Sequence, residues 1–128
     1  MPVTYVIDKQ RKFIHTRCVG VTTFDEVIGH FDKLSMDPDC PDQLDVLLDL
    51  SEMTSIPESE QLRAVSKKIK ETKSVVQFGC CAVVAIQEIL FGMSRVFEVY
   101  TASHFSAVRV FKNIDEARYW LAKERKDA

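Results

Sequence analysis

The stretch Gly79-Cys80-Cys81-Ala82-Val83-Val84-Ala85-Ile86, which runs through Gln87 into the segment Glu88 to Tyr100, decides the fold. An apolar run of this length is too short to cross a membrane, and its flanks and β-branched residues are those of a strand buried on both faces of a sheet. Strand alternation turns Cys80 and Cys81 to opposite faces. The segment after it changes period. At about 100° per residue, Ile89, Leu90, Met93, Val96, Phe97 and Tyr100 share an arc of about 120°, the width of a core-facing helical stripe. Phe91 and Val99 fall on the other half with Arg95 and Glu98, so this helix is expected to show two large apolar groups to solvent.

Outward from this axis the chain alternates in the same way. Thr4 to Ile7 and Lys12 to Val19 are β-rich and joined by Asp8-Lys9-Gln10-Arg11, which predicts an antiparallel hairpin. Alternation puts Ile14, Thr16 and Cys18 toward the core and Phe13, His15, Arg17 and Val19 outward. Thr23-Phe24-Asp25-Glu26 is a capping box and starts a helix with Phe24, Val27, Ile28, Phe31 and Leu34 as its buried stripe, leaving His30 off it. The acidic turn Asp37 to Asp42, with Pro38 and Pro41, ends that helix and lacks the alternating ligands and central glycine of a calcium loop. Val46 to Leu50 is a second buried strand, followed by a loop from Ser51 to Pro57. Pro57 suits the first turn of the next helix, with Ser55 or Ile56 near its cap. Its narrow stripe, Leu62, Val65 and Ile69, in a basic remainder suggests a peripheral helix. Ala107 to Phe111 is the last strand, and Asn113 caps a final helix with Ala117, Trp120 and Leu121 inward.

The order ββαβαβαβα predicts a single α/β domain over residues 1–128, with one mixed, mostly parallel sheet and helices on both faces. Ligands of such sheets bind beyond the carboxyl ends of the strands. Here those ends are Ser51 to Pro57 and the Ile86-Gln87-Glu88 corner.

Composition narrows the function. The net charge of −2 hides an asymmetry. Residues 1–20 carry four basic and one acidic group, residues 21–60 one basic and eleven acidic, and residues 61–128 twelve basic and seven acidic. No basic stripe interleaved with aromatics is present, which argues against nucleic acid; the acidic middle can steer a basic partner. Without a signal-peptide pattern or a spanning apolar run, a cytoplasmic location is expected. The four cysteines form no C-x-x-C pair and are read as reduced thiols, with no metal and no cofactor expected.

Three sets of residues then resemble one family. Asp49-Leu50-Ser51 leading to Ile56-Pro57, the run Phe91-Gly92-Met93-Ser94-Arg95-Val96-Phe97-Glu98-Val99-Tyr100, and Val110-Phe111 with Glu116-Ala117 and Trp120-Leu121 resemble the SpoIIAA-like proteins, within the wider sulphate-transporter and anti-sigma-factor-antagonist (STAS) grouping. The resemblance covers nearly the whole chain and implies a small bacterial α/β domain, in regulatory members switched by phosphorylation of a serine after the strand equivalent to Val46 to Leu50. The matching positions are Ser51, Thr54 and Ser55, although the family's Ser-Gly pair is missing.

Three functions follow as expectations. The first is a non-catalytic regulatory or interaction domain whose Ser51, Thr54 and Ser55 loop meets a partner protein. The second is a binder of an apolar or lipid-like small molecule near residues 91–105, with Phe91, Met93, Phe97, Tyr100 and Phe105 as lining and Arg95 as head-group anchor. The third and least favoured is a small acid–base enzyme using Asp49, Glu52 and Glu88; no nucleophile elbow or phosphate-cradling glycine loop supports catalysis. A homodimer is expected to cover the surface formed by Glu88, Phe91, Arg95, Glu98 and Val99.

Overall fold

A computed structural model describes residues 3–41 and 43–127, the side chains of 125–127 excepted. The order is β1 (Val3–Asp8), β2 (Phe13–Gly20), α1 (Phe24–Ser35), β3 (Gln43–Met53), α2 (Ser59–Thr72), β4 (Gln77–Val84), α3 (Glu88–Thr101), β5 (Ala107–Phe111) and α4 (Ile114–Asp127). The strands form one sheet in the order β1-β2-β3-β4-β5. β1 runs antiparallel to β2, and every other pair is parallel. The expected α/β architecture is therefore present, with the two apolar strands side by side, Leu48 opposite Val83.

The helices divide unequally. Leu34 of α1, Leu62 and Ile69 of α2 and Phe97 of α3 close over Ile14, Cys81, Val83 and Val110 on one face. On the other, α4 alone sets Ala117 and Leu121 against Leu47, Ala82, Val84 and Phe111. Burying one Val or Leu side chain contributes about 2 kcal/mol, so these clusters account for the central position of β3 and β4. α4 covers β3 to β5 and stops short of β1, which leaves Val6 72% exposed on the same face. Among the described residues no helix is long and apolar enough to cross a membrane.

Local chemistry sets the ends of the elements. Thr23 and Glu26 make both bonds of the capping box, and Asn113 Oδ1 accepts from the amides of Asp115 and Glu116 to open α4. Lys12 takes a left-handed backbone in the hairpin turn, with φ 53°. Between Leu44 and Val46 the β3/β4 register slips, and Asp45 Oδ1 reaches across to accept the Cys80 amide at 2.9 Å. Only glycine fits opposite: a Cβ on Gly79 would stand 2.2 Å from that oxygen.

Several expectations are corrected. β3 continues past Leu50 because Glu52 and Met53 still pair with Val19 and Gly20 of β2, so Ser51 lies in the strand rather than in a loop. β4 ends at Val84, and Ile86 is 55% exposed beyond it. α2 is capped by Glu58, which places Pro57 before the cap. This helix lies between α1 and α3 rather than at the margin, because Ser66 and Thr72 join Leu62 and Ile69 in its buried stripe. In α3, Ile89 points to solvent, while Phe91 is half-buried against the core beneath Lys112, whose ammonium sits 5.0 Å from the ring centre. β5 approaches that flank of α3, and a helical wheel carries no information about a neighbouring strand.

Candidate functional site

The parallel strands β2, β3 and β4 end at one edge of the sheet, and α1, α2 and α3 begin there. Backbone bonds tie the corners together: the Thr54 amide donates to Gly20 O, and the Thr22 amide to Ser55 Oγ, which in turn donates to Thr22 O. Ser55 is thus committed to the loop junction. Ser51 Oγ donates to Asp49 Oδ1 at 2.6 Å, and its amide donates to the same oxygen. Of the three expected phosphoacceptor positions, Thr54 is the exposed one.

This edge is apolar at its surface. Val19, Val21, Ile56, Ile86 and Ile89 are between 39% and 69% exposed. Val21, Ile56 and Ile86 follow β2, β3 and β4, Ile89 lies in the first turn of α3 and Val19 in the last residues of β2, so all five stand at the same end of the sheet. Around them stand the exposed carboxylates of Asp25, Glu52, Glu58 and Glu88. Asp25 and Glu88 sit in helical first turns, where the dipole favours a negative charge.

A second group lies on the α4 face. His15 Nε2 is 3.2 Å from Asp49 Oδ2, and Arg118 Nη2 is 3.4 Å from His15 Nδ1. A carboxylate only accepts and a guanidinium only donates, so Nε2 carries the proton and Nδ1 accepts. Burial pushes the Asp49 carboxyl up, but the Ser51 hydroxyl and amide and the His15 ring hold it below its ordinary value. The outward-facing His15 of the strand pattern is therefore half-buried and paired with a residue 34 positions away. The expected convergence of Asp49, Glu52 and Glu88 is not made by bonding: Asp49 engages His15 and Ser51, Glu52 engages Arg17 at 2.9 Å, and Glu88 is exposed at the start of α3. Among the described residues no three His, Cys, Asp or Glu side chains gather to hold a metal ion.

The third feature is internal. Two cavities, about 100 Å³ and about 60 Å³, lie between the sheet and α1–α3. They share Cys18, Val27, Leu48, Val65 and Phe97 as walls. Of the residues expected to line a ligand pocket, Met93 and Phe97 border the larger cavity, and Phe97 and Phe105 the smaller. Phe91 and Tyr100 border neither, and Tyr100 instead bonds Ser59 and Arg63 on α2. Arg95 is exposed and paired with Glu98 at 2.9 Å, so it anchors nothing inside. The buried polar atoms bordering the cavities that find no partner among the described residues belong to residues the sequence pattern gave no role: Thr16 and His30 at the smaller, Thr22 at the larger. The signal available was a threonine at a core-facing strand position.

The surface patch on α3 is smaller than expected. Val99 is 73% exposed and Arg95 and Glu98 pair along the helix, but Phe91 is taken up by the protein's own core. Comparison with protein-family models, with curated proteins and with solved structures finds no match for the chain.

Proposed function

We propose that this protein is a non-catalytic interaction domain whose working surface is the carboxyl edge of the sheet, and that it docks a basic, amphipathic segment of a protein partner. The observation that carries this is the apolar patch of Val21, Ile56, Ile86 and Ile89 set among Asp25, Glu52, Glu58 and Glu88. Apolar area of this kind on a soluble surface marks an interaction site, and the acidic surround selects a basic occupant and speeds its encounter. Kinship with the SpoIIAA-like proteins belongs to the same proposal, since its regulatory members use this edge. Thr54, exposed beside Ile56, is the residue through which a phosphate would add to the negative rim.

The test uses a synthetic helical peptide of alternating leucine and lysine faces, titrated into isotope-labelled protein. The expected result is saturable shift changes at residues 19–22, 52–58 and 86–89, weakened by salt and reduced at least tenfold by the double variant I56D/I89D. An acidic peptide of the same pattern binding equally well, or shifts centred elsewhere, would overturn the proposal. Sedimentation of the protein alone reads the other occupant of an apolar face: a dimer lost in I89D assigns this edge to a second copy of the chain, and one lost in Val99→Asp assigns the homodimer to α3 instead.

A further inference from the structure

We propose that the space between the sheet and the α1–α3 layer binds a small, ring-sized apolar molecule bearing one hydroxyl, whose polar end is held by Thr16 and His30. The site is separate from the carboxyl-edge surface and does not depend on that reading. Three observations lead to it.

The first is room. Well-packed interiors hold few voids larger than a water, yet two cavities of about 100 Å³ and about 60 Å³ adjoin here and share Cys18, Val27, Leu48, Val65 and Phe97 in their lining. An engineered apolar void of about 150 Å³ takes up benzene; neither cavity reaches that alone, but the two together do, so a single six-membered ring seated in the larger with its hydroxyl reaching the smaller matches the space, and a lipid chain does not.

The second is unmet hydrogen bonding. Thr16 is 2% exposed, its Oγ1 has no partner among the described residues, and the strand holds it against the smaller cavity. His30 Nδ1 is buried, finds no partner among the described residues and borders the same cavity. Its ring stands edge-on to Tyr5 and Phe31, both centroids 5.2 Å away. A buried polar group left unpaired costs about 1–3 kcal/mol, a cost that a bound partner removes. Burial, helped by the nearby Lys33, lowers the His30 pKa from 6.5 to about 4, so its imidazole is neutral near pH 7.

The third is the match in kind. A neutral imidazole presents either a donor or an acceptor at Nδ1 according to its tautomer, and a threonine hydroxyl does both. A ligand hydroxyl also donates and accepts, so it satisfies the pair in either arrangement; a carboxylate would face no charged partner there and would lose its hydration. The larger cavity continues to Thr23, Phe24, Pro57 and Gln61 at the junction of α1 and α2, which gives the molecule a way in.

The test is titration with phenol and, separately, benzene, read by imidazole nitrogen shifts of His30 and by thermal unfolding. Phenol is expected to bind saturably, to raise the melting temperature, and to bind about tenfold more tightly than benzene, the factor that one buried hydrogen bond of about 1.4 kcal/mol supplies. Thr16→Val should bind phenol about tenfold more weakly while the unliganded protein becomes more stable, a combination that a merely structural threonine would not produce. Thr16→Ser, which keeps the hydroxyl, should restore the preference for phenol. No saturable phenol binding, equal binding of phenol and benzene, or a T16V variant with unchanged phenol affinity would each overturn the proposal, as would a high-resolution structure of phenol-soaked protein with water alone in the space.

Discussion

On the α4 face of the sheet, the buried carboxylate of Asp49 receives the Ser51 hydroxyl, the Ser51 amide and the His15 ring; on the opposite face, Thr16 and His30 border a cavity with polar atoms that no described residue bonds. The two sets start from the same place, polar residues on or against neighbouring strands of an apolar sheet. They differ in what covers them. α4 lies over β3 to β5, and Asp49 is met by Ser51 of its own strand and by His15 of adjacent β2, whose ring is met in turn by Arg118 of α4. Three helices crossing one sheet leave gaps where their side chains fail to interdigitate, and the gaps fall beside Thr16 and His30. A fully satisfied buried group is a structural element, whereas an unsatisfied one next to empty space is a place for something else.

The contrast can be broken most severely where a polar side chain is locked by close approach. Gly79→Ala drives a methyl into Asp45 Oδ1 and disrupts the bond to the Cys80 amide. Its expected cost is about 3 kcal/mol or more in urea unfolding. Gly29→Ala, in α1 with open space around its Cβ position, should instead stabilise by about 0.5–1 kcal/mol.

A smaller effect sharpens the comparison directly. Asp49→Ala removes the acceptor of three bonds and strands the His15 and Ser51 donors, for an expected loss of about 2 kcal/mol. Thr16→Val removes a hydroxyl that bonds none of the described residues, and its expected change has the opposite sign, a gain of about 1 kcal/mol. Chemical denaturation of both variants checks the signs side by side, and equal losses would erase the distinction between the faces.

A further effect is in pH dependence. The unfolded chain takes a proton on His30 near pH 6.5, but the folded protein resists it until about pH 4, so the unfolded state binds more protons in between. Stability therefore falls as pH drops from about 6.5 to about 4 and is independent of this group above that range. His30→Phe should flatten this part of the stability profile measured by urea unfolding at several pH values. The Tyr5 hydroxyl, raised to about 12 by burial and by its bond to Asp37, does not titrate in the window. Asp49, held below the ordinary carboxylate value, contributes stability that is lost only at still lower pH.

How much of this was legible in the chain depends on the range of the interaction. The strand Ala107–Phe111 and the capping box Thr23–Glu26 rest on neighbours in sequence, and both appear where the residues place them. The mixed sheet and the pairing of the two central strands follow from hydrophobic runs alternating with helical stripes. Ser51 went to a loop because nothing local shows that Glu52 and Met53 go on pairing with β2. Phe91 went to solvent because a helical wheel does not know where β5 runs.

The sequence by itself determined the element order, the apolar centre and the acidic character of the segment that borders the carboxyl edge, since periodicity, caps and charge are local properties of a chain. Tertiary structure alone decided that His15 meets Asp49, that Phe91 turns inward, and that Thr16 and His30 face the same unfilled space. Those outcomes depend on how three helices share one side of a sheet and a fourth takes the other, a distribution of volume that no residue records in its neighbours.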